Sequence, residues 1–366
     1  MPSINMNFFK NHRHFFGCFF MMLPFFVAAQ QPNHLQDWVK GKTDTAFSKA
    51  GVPGMFVLYG NGSSEGFYSA GYAQPENQKG FDMKTFFEIG SITKTFTAFT
   101  LMCVLKDHQI ADSSSILPYL PAKVKSNEQL ANIRFVQLMN HSSGLPRLPE
   151  NLDLSSMTLQ PYESYDSNQL FTYLQTAKLN KPGSYEYSNL GAGLAGVLAE
   201  KISGKTYPAL LDQYIFLPFK MVDQNNTLEK SENKSQGYMD DNTAAEYWNM
   251  NILAPAGGLK CTGEEMKKYL TAMSKPINKY GEAIMTELTT PTLTLSPSLQ
   301  VGRGWHISKK KNRADIYWHN GGTYGFSTFC AFVKGTGQYV MVVINKFNSN
   351  AVSDKLGMNI IHKILE

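Results

Sequence analysis

The sequence predicts an α+β fold: an antiparallel sheet assembled from both ends of the chain, with a mostly helical segment inserted between them. Three observations carry this prediction. Strand-like apolar runs fill residues 54–72 and return only after residue 301. Residues 115–255 instead alternate helical runs with breaks rich in Pro, Gly and Asn. The late connectors KKKNR and GTG are hairpin-sized, whereas parallel strands need long crossovers. With no internal repeat or low-complexity tract, residues 30–366 read as one domain. Its sheet lobe spans about 30–90 and 255–366, and its helical lobe about 91–254.

The N-terminus reads as an export leader. Residues 8–16 (FFKNHRHFF) give a basic region, residues 15–29 (FFGCFFMMLPFFVAA) an apolar one, and Val27-Ala28-Ala29 a small-residue cleavage flank. Cleavage after Ala29 is expected, with the mature chain periplasmic or secreted. A membrane anchor would need about 20 apolar residues, and this run is shorter and carries Pro24. Phe15-Phe16-Gly17 before Cys18 makes a poor lipidation site. The formal charge of +5 falls to +3 once Lys10 and Arg13 leave with residues 1–29, too mild for a nucleic-acid partner. A composition 43% hydrophobic and 17% charged excludes a disordered chain. Beyond Cys18, the cysteines Cys103, Cys261 and Cys330 show neither CxxC pairs nor zinc spacing. One bridge among them is conceivable; buried thiols are the default.

The elements follow in order. Residues 33–50 form a polar helix. Residues 54–59 and 66–72 form strands around a glycine-rich turn. Residues 91–106 (SITKTFTAFTLMCVLK) place apolar side chains almost all round, which marks a buried helix. Strands at 303–308, 314–319, 326–334 and 338–345 precede an amphipathic helix at 351–365, and Lys309-Lys310-Lys311 reads as a solvated turn.

Several familiar strings fail on context. Gly62-Ser63-Ser64-Glu65-Gly66 matches a nucleophile elbow but joins two strands, whereas the elbow joins strand to helix. Gly191-Ala192-Gly193-Leu194-Ala195-Gly196 matches a dinucleotide fingerprint without its preceding strand, so close helix packing explains it better. Gly204-Lys205-Thr206 follows a helix and lacks the first glycine of a phosphate loop. The histidines form no HExxH or dense cluster, so neither a metal nor another cofactor is expected.

S-x-x-K occurs at Ser91…Lys94, Ser231…Lys234 and Ser308…Lys311. Only Ser91 follows an apolar run and opens a buried helix, where positions i and i+3 share a face. Burial at the positive end of a helix would strip Lys94 of its proton and free it to act as a base. The bland alternative is a helix-capping serine with an ordinary lysine in the first turn. Downstream, Tyr187-Ser188-Asn189 sets a tyrosine and an amide just before a helix, and His319-Asn320-Gly321-Gly322 follows a strand-like run.

Ser91-x-x-Lys94, Tyr187-x-Asn189 and His319-x-Gly321, in that order, resemble the motifs of the serine beta-lactamase and DD-peptidase superfamily, in its class C beta-lactamase-like branch. The flanking phrases IGSITKTFTAF, IRFVQLMNHSSGLP, PAGGLKCTGEEM and GGTYGFSTF agree, so the likeness spans most of residues 50–345. The resemblance implies a beta-lactamase/transpeptidase-like fold with its site at the seam of the lobes. It makes Ser91 the nucleophile of an acyl-enzyme, with Lys94 and Tyr187 sharing proton transfer. Asn189, His319 and Gly321 would bind substrate, and the N–H groups of Ser91 and Gly322 would form the oxyanion hole. It implies a small-molecule or short-peptide substrate, with no nucleic acid and no stable membrane insertion.

The third motif departs from the class C enzymes, which carry Lys-Thr-Gly there. An ordinary histidine is mostly neutral near pH 7 and binds a carboxylate less well than lysine. Gly144-Leu145-Pro146 is followed by Arg147 and Leu148, without the glutamine of the lactamases. The expectation is therefore a DD-peptidase, D-aminopeptidase or esterase type of hydrolase. A true class C-like beta-lactamase and a non-catalytic penicillin-binding-like protein are the alternatives.

Overall fold

The computed structural model describes residues 34–155, 158–222, 231–276 and 278–366, so the expected leader and Cys18 lie outside the described residues. An eight-stranded antiparallel sheet has the order β2-β1-β12-β11-β10-β9-β8-β7. Here β1 is Gly54–Asn61 and β2 is Glu65–Gly71. The late strands are β7 (Leu293–Ser296), β8 (Leu299–Val301), β9 (His306–Ser308), β10 (Ile316–Gly322), β11 (Ser327–Val333) and β12 (Gln338–Ile344). The two chain ends meet where β1 pairs with β12, Met55 opposite Ile344 through Asn61 opposite Gln338. Short strands β3 (Phe86–Glu88) and β6 (Lys260–Thr262) pair beside the sheet, and β4 (Gly237–Tyr238) pairs with β5 (Ala244–Ala245).

Both faces of the central strands are covered, and β11 (STFCAFV) is accordingly buried along its whole length. Against one face pack the helices His34–Ala50 and Asn350–Ile364, where Val39, Leu356 and Ile360 meet Val57, Val340 and Val342. The other face joins a larger core that includes Phe96, Leu101, Leu194, Leu198, Tyr269 and Trp305. The helix Thr93–Asp107 runs through that core with every residue from Thr93 to Leu105 buried.

Differences from the sequence reading are local. Strands β7 and β8 precede the expected start of the late strands. Strand β10 continues through Asn320, Gly321 and Gly322, a stretch whose glycines disguise it. The buried helix begins at Thr93, and Ser91 sits one step earlier in a tight turn, Gly90–Ile92. The rejected strings behave structurally: residues 62–64 make the β1–β2 turn, Gly193 and Gly196 admit Leu253 and Pro255, and Gly204 ends its helix at φ 71°. Cys103, Cys261 and Cys330 are free, buried thiols, and burial pushes Cys103 up to about 12.

Candidate active site

Ser91 stands between β3 and the buried helix because two glycines allow it. Gly90 adopts φ 51°, and a Cβ there would sit 2.6 Å from the Gly322 nitrogen. On β10, a Cβ at Gly321 would fall 2.0 Å from the Ile89 carbonyl oxygen. Glycine at both positions brings the end of β10 against the Ser91 turn. Ser91, Gly321 and Gly322 thus line one cavity of about 490 Å³, together with Tyr187 and Asn189.

The Lys94 amine donates to Ser91 Oγ at 2.9 Å and to the Ala256 carbonyl at 2.5 Å. The residue at the helix start is Ile92, which makes no side-chain cap, so Ser91 is not spent on capping. Lys94 is 3% exposed. Its burial, reinforced by the Arg147 charge, drives its pKa well below the ordinary lysine value. Burial moves Tyr187 the opposite way, raising its phenol, although a hydrogen bond to Ser91 and the Arg147 charge partly oppose this. Burial thus disfavours the charged form of both partners of Ser91.

A loop holds Tyr187 in place. Glu186 N–H donates to the His141 carbonyl at 2.7 Å, and Ser188 N–H donates to His141 Nδ1 at 3.2 Å. One residue, itself at φ 63°, thus anchors the backbone on both sides of Tyr187. Its ring packs on the Tyr187 ring with centroids 4.3 Å apart. Ser188 caps the helix Asn189–Ser203 by accepting from Gly191 N–H, and Asn189 N–H donates to the Arg147 carbonyl. Asn189 Oδ1 is buried without a hydrogen-bond partner among the described residues, Lys94 included.

His319 lies elsewhere than the cavity wall. It is 1% exposed, its Nδ1 is 2.6 Å from the Asn320 carbonyl, and its ring centre is 6.4 Å from that of Tyr187. Its Nε2 has no partner among the described residues. Burial and the proximity of His306 and Lys94 keep it well below the ordinary histidine value, hence neutral. Beneath the cavity, Glu88 is buried. Its carboxylate accepts from Trp248 N–H and from the Thr323 hydroxyl, both at 2.6 Å, and so ties β3 to two walls. The sequence reading missed His141 and Glu88; the only trace was the place of His141 in the phrase IRFVQLMNHSSGLP and of Glu88 in the run just before Ser91. No group of acidic, histidine or cysteine side chains fit to hold a metal occurs among the described residues.

A hydroxyl and a phenol on one cavity wall, with a buried amine bonded to the hydroxyl from behind that wall, equip this site for acyl transfer. The sequence matches the Beta-lactamase family over residues 35–363, and the chain belongs to that family. It is a serine hydrolase of the acyl-enzyme type. A beta-lactamase of Providencia stuartii is 24% identical over 383 positions, covering 95% of either chain. The D-alanyl-D-alanine-carboxypeptidase/endopeptidase AmpH of Escherichia coli (strain K12) is 27% identical over 333 positions, covering 85% of each. The solved structure of a class C beta-lactamase shares the fold with a TM-score of 0.78 at 22% identity, covering 91% of this chain and 97% of its own.

Proposed function

We propose that this chain is an exported hydrolase of D-amino-acid peptides or small esters, with Ser91 as nucleophile, and that residues 1–29 are its cleaved leader. The observation that carries the reading is the buried Lys94 amine, bonded to Ser91 Oγ at 2.9 Å, whose charged form desolvation disfavours. Ser91 Oγ attacks the acyl carbon while its proton passes to Lys94. The N–H groups of Ser91 and Gly322 hold the oxyanion. The proton then reaches the departing nitrogen or oxygen through the Tyr187 hydroxyl, and the bond to that atom breaks to leave an ester on Ser91. Water attacks the ester, gives its proton back through Tyr187 and Lys94, and frees Ser91.

Asn189, a residue of the cavity wall whose carbonyl oxygen has no partner among the described residues, is assigned the substrate amide N–H. Gly321 offers backbone on the cavity wall, and His319, set back from that wall, has its ring centre 6.4 Å from that of Tyr187. The similarity to AmpH, named a carboxypeptidase/endopeptidase, supports peptide substrates. Beta-lactam turnover is the second reading, favoured by the relative named a beta-lactamase. Steady-state rates on an acyl-D-alanyl-D-alanine peptide, a neutral phenyl ester and a cephalosporin test the choice. Turnover of peptide or ester exceeding that of the cephalosporin is expected; the reverse order would make the chain a lactamase.

A further inference from the structure

Among the described residues that line the active-site cavity, Arg147 alone carries a formal charge. Its guanidinium lies over the Tyr187 ring, Cζ 5.3 Å from the centroid, and among the described residues it forms no ion pair. The third-motif position offers no substitute cation: His319 is buried, neutral and outside the cavity wall. Lys94 is buried outside the cavity wall as well. The field of Arg147 reaches Lys94, His141, Tyr162 and Tyr187, all of which feel it as a positive neighbour. An unpaired guanidinium in a cavity with no opposing carboxylate is a binding position for an anionic group of the substrate.

Position identifies which part of the substrate. Tyr187 delivers the proton to the departing atom, so the leaving group lies against Tyr187, and Arg147 lies against the same ring. A carboxylate one carbon from the departing atom therefore comes beside the guanidinium. Resting on the hydrolase reading above, we propose that Arg147 is a specificity-determining residue that binds the α-carboxylate of the leaving group. The substrates are then peptides or esters that release an amino acid or α-hydroxy acid. The cation stands on the wall of the Tyr187 motif, and the loss of lysine from the third motif does not remove carboxylate recognition. The apolar wall made by Tyr162, Trp248, Tyr324 and Phe347 is left for the uncharged part of the substrate.

A matched pair of thioesters tests this: acetyl-D-alanyl thiolactate, whose leaving group carries a free carboxylate, and its methyl ester. The readout is the ratio of kcat/KM for acid over methyl ester, which cancels any change in folded fraction. Wild type should prefer the acid; Arg147→Gln should lower that preference about tenfold, the loss of one charge-assisted hydrogen bond. Arg147→Lys should retain part of it, and the preference should weaken with salt in wild type but not in Arg147→Gln. An equal ratio in wild type and Arg147→Gln would overturn the proposal while leaving the hydrolase reading intact. No turnover of either thioester by wild type would overturn that reading and this proposal together.

Discussion

Burial acts on Lys94 and Tyr187 in opposite directions because one is charged when protonated and the other when deprotonated. The same dry surroundings thus disfavour the charged form of both beside Ser91. Arginine cannot give up its proton in a protein, so Lys94→Arg fixes a positive charge there and removes the proposed base. It should lower kcat by roughly 10²–10⁴-fold, measured with an activated ester. A variant within threefold of wild type would mean Lys94 is not the base. Because the folded-state pKa of Lys94 is depressed, activity is present above that value and lost below it. The acid limb of kcat/KM should therefore lie well under 10.5 and vanish as a separate feature in the variant. These residues were legible from sequence as an ordered set of motifs. Their protonation states were only partly so, because desolvation depends on neighbours such as Arg147 and Ala256 that spacing alone does not place.

Elements position the site through contacts the sequence hides. Glu88 joins β3 to the Trp248 backbone and to Thr323, the residue after Gly322. Burial raises its pKa despite the nearby Lys260. Glu88→Ala leaves two buried donors unpaired and should cost about 2–4 kcal/mol in chemical denaturation, with a larger loss in kcat than in KM as the Gly322 turn loosens. A stability change under about 0.5 kcal/mol would show that these bonds are not structural. The hairpins of β10, β11 and β12 were readable from alternating apolar runs and short connectors. The extension of β10 was not, since Asn320-Gly321-Gly322 reads as a turn until Ile89 is seen to demand close backbone approach at Gly321. The loop 141–147 escaped for a similar reason: its order comes from bonds to residues 180–190, remote in sequence.

Across the whole molecule, buried imidazoles set the response to acid. Burial and cationic neighbours lower the pKa of His141 and His319, and burial alone lowers that of His306 to about 4. A depressed pKa means the unfolded chain takes up the proton first. The stability each contributes is present above the ordinary value of 6.5 and is lost as pH falls toward the folded value. His306 alone should account for about 1.6 kcal/mol between pH 6.5 and 5, and His306→Gln should flatten the slope of stability against pH there. An unchanged slope would contradict its burial as a neutral base. The architecture as a whole was predictable because strand-like runs cluster at the two chain ends, and β1 pairing with β12 is what that distribution required.

Covalent trapping at Ser91 tests the central claim most directly. The protein would be exposed to a fluorescent penicillin and to an activated ester, and intact mass followed by peptide mapping would locate any adduct. The account predicts a single acyl group on the peptide containing Ser91, transient or stable, and none in Ser91→Ala, whose circular dichroism should match wild type. An adduct that persists in Ser91→Ala, on Ser231 or Ser308 for example, would contradict it.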